Sequence, residues 1–73
     1  MQGSPNLRFG DLVAIVEAFG FRLDRVSGSH HIFTHPATAE LLNLLDYQGK
    51  AKPYQVRQFL SLVEEYDLRM EEE

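Results

Sequence analysis

The chain of 73 residues contains no cysteine. That excludes disulfides, thiolate metal sites and cysteine nucleophiles, so the fold stands on packing alone. Such a chain suits a reducing cytoplasm. A secretory leader is not expected either, because Met1-Gln2-Gly3-Ser4-Pro5 has neither a basic start nor an apolar run. No stretch holds enough consecutive apolar residues to span a bilayer, so no membrane partner is expected. Length is also scarce. One domain over residues 1–73 is predicted, with flexible ends at 1–6 and 68–73. A chain this short gains only about 3–5 kcal/mol from its core. A deep cofactor cavity and a dinucleotide fold are therefore excluded and no cofactor is expected. Any chemistry must sit on the surface and use few residues.

A surplus of positive charge is missing as well, since the formal net charge is −4. The distribution matters more than the total. Six acids and one base, Arg69, lie between Glu64 and Glu73. Before them, five acids face six bases: Arg8, Arg22, Arg25, Lys50, Lys52 and Arg57. The body is thus close to neutral and the acidity belongs to the tail, which reads as a solvated end. Hydrophobic residues make up 44% of the chain, enough for a globular domain.

What is present has clear periodicity. Leu12, Val13, Val16 and Phe19 recur at helical spacing. Asp11 favours the start of that helix, Gly20 its stop, and Phe9 can pack back onto the first turn. Phe21 to Val26 alternates apolar and charged residues, a strand pattern. Ser27-Gly28-Ser29 is a turn signal, and His30 to His35 reads as a second strand ended by Pro36. Glu40 to Tyr47 has a leucine pattern that period alone leaves ambiguous; its short length, between Pro36 and Gly49, favours a third strand. Pro53 opens a second helix to Tyr66 or Asp67, with Val56, Phe59, Leu60, Val63 and Tyr66 as its apolar stripe. The predicted fold is α+β in the order α-β-β-β-α. Both helices cover one face of a three-stranded antiparallel sheet and leave the other open.

All three histidines fall within six residues: His30, His31 and His35. Strand alternation puts His30 with Ile32 and Thr34, and His31 with Phe33 and His35 on the other face. A surface position in a strand is the ordinary reading of each. A metal site through His31 and His35 lacks further ligands and would need a bend in the chain, so no metal is expected. Acid–base chemistry on RNA is the third reading. RNA carries its own nucleophile, the 2′-hydroxyl, so an enzyme need only move protons and stabilise charge. Histidine, with an unperturbed pKa of about 6.5, suits that work, and such proton transfer contributes roughly 10²–10⁴-fold in rate.

The segment Gly28-Ser29-His30-His31-Ile32-Phe33-Thr34-His35-Pro36 resembles the signature of the HicA family: Gly-Ser/Asp-His, an aromatic three residues later, then often His-Pro. The likeness extends over about residues 9–68, through Gly20-Phe21, the Gly49-Lys50 pair and the final amphipathic helix. HicA proteins are small bacterial and archaeal mRNA interferases of toxin–antitoxin systems. The resemblance implies a double-stranded-RNA-binding-domain-like fold in the same α-β-β-β-α order. It also implies cleavage of mRNA in the cytoplasm with His30 as the catalytic residue, and masking by a HicB-type antitoxin. A non-catalytic RNA- or protein-binding module of the same fold is the alternative.

Around His30, His35 is the candidate proton-transfer partner. Ser29, Arg25, His35, Lys50 and Lys52 are candidate contacts to RNA; Ser29 reads equally as a plain turn residue, and the lysines as a solvated basic loop. Phe33 could stack a base, yet it fits a core aromatic better.

Overall fold

Helix α1 (Phe9–Ala18) starts two residues before the Asp11 signal, and the computed structural model describes residues 7–71. The expected flexibility of 1–6 and 72–73 lies outside the described residues. Phe9, Leu12 and Val16 form the buried stripe of α1. Its end is set by Gly20, whose φ of 96° is one that side chains disfavour. The Gly20 N–H reaches Glu17 O at 3.0 Å and the Phe21 N–H reaches Val16 O at 3.3 Å. This pair of bonds is the Schellman pattern, and its apolar contact is Phe21 against Val16, both wholly buried.

Three strands follow: β2 (Arg22–Ser27), β3 (His30–Thr34) and β4 (Leu42–Leu45). They form an antiparallel sheet in the order β2-β3-β4. The leucine-rich segment is therefore a strand, as its length suggested, although shorter than Glu40–Tyr47. Leu42 and Leu44 point inward, and Leu41, ahead of the strand, is exposed. The β2–β3 connection is the pair Gly28-Ser29, with Ser27 opposite His30. Gly28 supplies a φ of 61°, as the first central position of a type II′ turn requires.

A second, minute sheet was not legible in the sequence. Strand β1 (Leu7–Arg8) pairs antiparallel with β5 (Lys50–Ala51), matching Leu7 to Ala51 and Arg8 to Lys50. The turn leading into β5 uses Gln48 and Gly49, with φ values of 55° and 87°. Asp46 Oδ1 accepts the Gly49 N–H at 2.6 Å.

Helix α2 (Pro53–Glu65) follows, with Pro53 at its first position. Its buried residues are Gln55, Phe59 and Leu62, with Val56, Val63 and Tyr66 partly covered. The expected stripe is thus rotated: Leu60 lies about 100° round the helix from Phe59 and is 47% exposed. The tail, expected to be flexible from residue 68, makes several contacts over its described part. Asp67, at φ 52°, lets the Leu68 N–H bond to Val63 O at 2.9 Å, and Leu68 is buried. The Glu71 N–H then bonds to Ala18 O at 2.7 Å, which ties the tail to the end of α1.

Phe9, Leu12 and Val16 from α1, Phe59 and Leu62 from α2, and Phe33, Leu42 and Leu44 from the sheet share a single cluster. Both helices therefore cover one sheet face. The expected α+β architecture holds, with β1 and β5 added to it.

Candidate active site

The open sheet face is defined by the register. Phe33 points into the core, so Thr34, Ile32 and His30 point the other way. Their cross-strand partners share that face: Arg22 and Ser27 on β2, Asn43 and Leu45 on β4. Arg25 joins them only because of an irregularity. The register shifts between Leu23 and Arg25, leaving Asp24 unpaired, so Arg25 stands opposite Ile32. Plain alternation from Leu23 would turn Arg25 toward the helices. The bulge re-aims it onto the face of His30. Arg25 pairs with Asp24 at 2.7 Å, and both side chains are largely in solvent. Such a pair contributes about 0–1 kcal/mol, so Arg25 can exchange its partner at little cost.

The three histidines have three different environments. His30 is exposed. Its Nδ1 lies 3.2 Å from Asn43 Nδ2, and its Nε2 has no hydrogen-bond partner among the described residues. His31 is half-buried on the core side, its ring edge-on to Phe9 with centroids 4.8 Å apart. Its Nδ1 lies 3.3 Å from Ser29 O. His35 is held at both nitrogens. Nδ1 accepts the Ala37 N–H at 2.9 Å, so Nε2 carries the proton that it donates to Phe19 O at 2.9 Å. The ring also packs edge-on to Phe21, with centroids 4.9 Å apart. His35 thus fastens the end of β3 to the end of α1. With both nitrogens committed it does not offer the proton-transfer partner that the sequence suggested.

Ser29 occupies the β2–β3 turn, and its carbonyl accepts the Asp46 N–H at 3.0 Å. That bond brings the segment after β4 beside the turn. Tyr47 follows, its hydroxyl 2.7 Å from that of Tyr54 in the first turn of α2. The hydrogen bond to Tyr47, with desolvation, raises the Tyr54 pKa above the ordinary phenolic range. Lys52 Nζ lies 4.8 Å from the centre of the Tyr47 ring. Lys50 stands in β5 opposite Arg8, a cross-strand pair of like charge, and neither makes an ion pair among the described residues. Like charges placed opposite each other are unfavourable unless an anion joins them.

The structure therefore brings Arg25 to His30 on one face and sets Ser29 at the adjacent turn. Lys50 and Lys52 lie beyond Asp46, at the same end of the sheet, and Phe33, 1% exposed, belongs to the core. Sequence reasoning missed Asn43 and Arg8, because both depend on pairing register. No pocket is found among the described residues, and no three His, Asp or Glu of them converge as metal ligands. No helix among them is long and apolar enough to cross a membrane.

No curated protein and no solved structure matches the chain. A family model does: the HicA toxin of bacterial toxin–antitoxin, over residues 9–63, which include both main helices' buried stripes and the whole three-stranded sheet. On that match the chain belongs to the HicA toxin family and is a toxin of a toxin–antitoxin system.

Proposed function

We propose that this toxin is a metal-independent endoribonuclease that cuts mRNA with His30 as its acid/base group, and that a HicB-type antitoxin neutralises it in the cytoplasm. The observation that carries the reading is the exposure of His30. Of the three histidines it alone stands in solvent, on a sheet face that no helix covers. Its neighbours His31 and His35 are engaged with Phe9 and with backbone groups.

The chemistry is that of an internal displacement. His30 takes the proton of the ribose 2′-hydroxyl, and the 2′ oxygen forms a bond to the adjacent phosphorus. The bond from phosphorus to the 5′ oxygen breaks, leaving a cyclic phosphate on one fragment and a 5′-hydroxyl on the other. A single imidazole makes one of the two proton transfers, and water makes the other. The nucleophile belongs to the substrate, so a shallow open site is sufficient. A long flexible chain reaches it more easily than a small molecule would be held by it.

Arg25 supplies positive charge on the His30 face. Ser29 at the turn, with Lys50, Lys52 and Arg8 beyond it, extends the contact along the strand of RNA. His35 is left to position the end of β3. The family's place in toxin–antitoxin systems supports an antitoxin that occludes this open face. A second reading, a module that holds RNA weakly without cutting it, fits the nearly neutral body of the chain, where five acids face six bases.

The test is incubation with a long single-stranded RNA in the presence of a chelator. Cleavage by the wild type, lost in a His30→Ala protein of unchanged circular dichroism, is the expected result. Equal cleavage by both proteins would remove His30 from the mechanism. Retention of RNA without cleavage would leave the binding module.

A further inference from the structure

We propose that Asn43 is a positioning residue for His30: its side-chain amide sets the tautomer of the ring, and so whether Nε2 can take a proton from the substrate. The inference rests on His30 being the acid/base group. It adds a residue from another strand whose part depends on the sheet register alone.

The geometry comes first. Asn43 stands opposite Ile32, and His30 opposite Leu45, so the two polar side chains are diagonal neighbours on the open face. The amide reaches Nδ1 at 3.2 Å. Leu45, directly opposite His30, and Ile32, two residues along its own strand, offer Nδ1 no polar group. Ser27, opposite His30 on β2, makes no side-chain hydrogen bond among the described residues. Asn43 is exposed, and its amide has no other partner among the described residues, so it turns about its terminal bond without breaking a second bond.

The chemistry then distinguishes two orientations of that amide. With Nδ2 toward the ring, as the structure shows, Nδ1 accepts. The neutral imidazole must then carry its proton on Nε2. Such a ring has no lone pair facing solvent and cannot take a proton from a ribose hydroxyl. A half-turn of the amide places Oδ1 against Nδ1. Now Nδ1–H donates to Oδ1, and the Nε2 lone pair faces outward as a base. After proton transfer the imidazolium keeps the Nδ1–H bond to Oδ1, and its Nε2–H is an acid. One amide orientation therefore serves the ring both before and after it takes the proton, and the other holds the toxin at rest. A third group that orients a catalytic base is a recurring device, and losing such an orienting partner typically costs about 10–100-fold.

The test compares the full-length wild type with Asn43→Ala and Asn43→Asp. Two measurements are made on each: the nitrogen NMR shifts of the His30 ring, which report its tautomer, and the kcat and KM for RNA cleavage. In the alanine variant we expect an altered tautomer balance and a kcat about 10–100-fold lower, with KM within about twofold of wild type. The aspartate variant is expected to hold the Nδ1–H tautomer and to restore kcat, because a carboxylate can only accept. An alanine variant with the wild-type tautomer balance and wild-type kcat overturns the inference. So does an aspartate variant that cleaves no better than alanine. If the wild type itself cuts no RNA, the nuclease reading fails and the NMR measurement still decides for Asn43. An altered ring tautomer on loss of the amide supports its hold on His30, and an unaltered one refutes it.

Discussion

The buried side chain of Gln55 closes the free edge of β4 by bonding both backbone groups of Leu45. Leu45 N donates to Gln55 Oε1 at 2.5 Å, and Gln55 Nε2 donates to Leu45 O at 2.9 Å. The amide stands in for one residue of a missing neighbouring strand. It also anchors α2 to the strand that carries Asn43. Replacing it with leucine keeps the volume and strands both Leu45 groups away from water. Each buried, unsatisfied group costs about 1–3 kcal/mol. Gln55→Leu is therefore expected to remove much of the stability of so small a domain. A urea titration checks it: a midpoint equal to wild type would show that the Leu45 groups find other partners. Gln55→Glu should also destabilise at neutral pH, because its ionised carboxylate would be buried facing the Leu45 carbonyl oxygen.

Gly20 and Gly10 are expected to respond in opposite directions to alanine. At Gly20 the positive φ already disfavours a side chain, and a Cβ would lie 2.9 Å from His35 Nε2. That ring cannot easily yield, since both its nitrogens are bonded to backbone. Gly20→Ala should cost about 1–3 kcal/mol and loosen the end of β3. Gly10, in the first turn of α1, has nothing within 4 Å of such a Cβ. Gly10→Ala should stabilise by about 0.4–1 kcal/mol. Thermal melts of the two variants decide; a shift of the same sign in both would contradict the distinction.

Much of this fold could be read directly because it is encoded locally. The stripe of α1, the stop at Gly20, the turn at Gly28 and the proline before α2 each depend on a few adjacent residues. The features that escaped depend on pairing. The Asp24 bulge exists only as a mismatch between β2 and β3, so nothing in Arg22-Leu23-Asp24-Arg25 announces it. The two-residue pairing of β1 with β5 is too short to have a period. The end of α2 uses Asp67 where glycine would have signalled the same geometry. For the site, the Gly28-Ser29-His30 motif pointed to His30. Asn43 is thirteen residues away and becomes its neighbour only through the β3–β4 register.

The rotated face of α2 makes a direct comparison possible. Leu62 is 5% exposed and belongs to the core, whereas Leu60 is 47% exposed. Truncating a buried leucine to alanine costs about 2–5 kcal/mol, while surface changes stay within about 0.5 kcal/mol. Leu62→Ala should therefore shift the denaturation midpoint strongly, and Leu60→Ala hardly at all. Similar losses in the two would restore the stripe that the sequence pattern implied.

The charges test the proposed path of the RNA. Binding of single-stranded nucleic acid weakens with salt, with a slope of about −0.7 per neutralised phosphate in a plot of log affinity against log salt. Arg25 lies on the His30 face, and Lys50 and Lys52 lie beyond the Ser29–Asp46 contact. If all three touch phosphate, each alanine variant should lower that slope by about 0.7 and weaken all RNA sequences alike. Binding is best measured with His30→Ala as background, so that the RNA survives. Arg57, exposed on α2, serves as the control, because the helices cover the opposite face of the sheet. A slope that falls for Arg57→Ala and stays constant for Arg25→Ala would move the RNA to the helical side. It would then lie away from the imidazole that the nuclease reading requires.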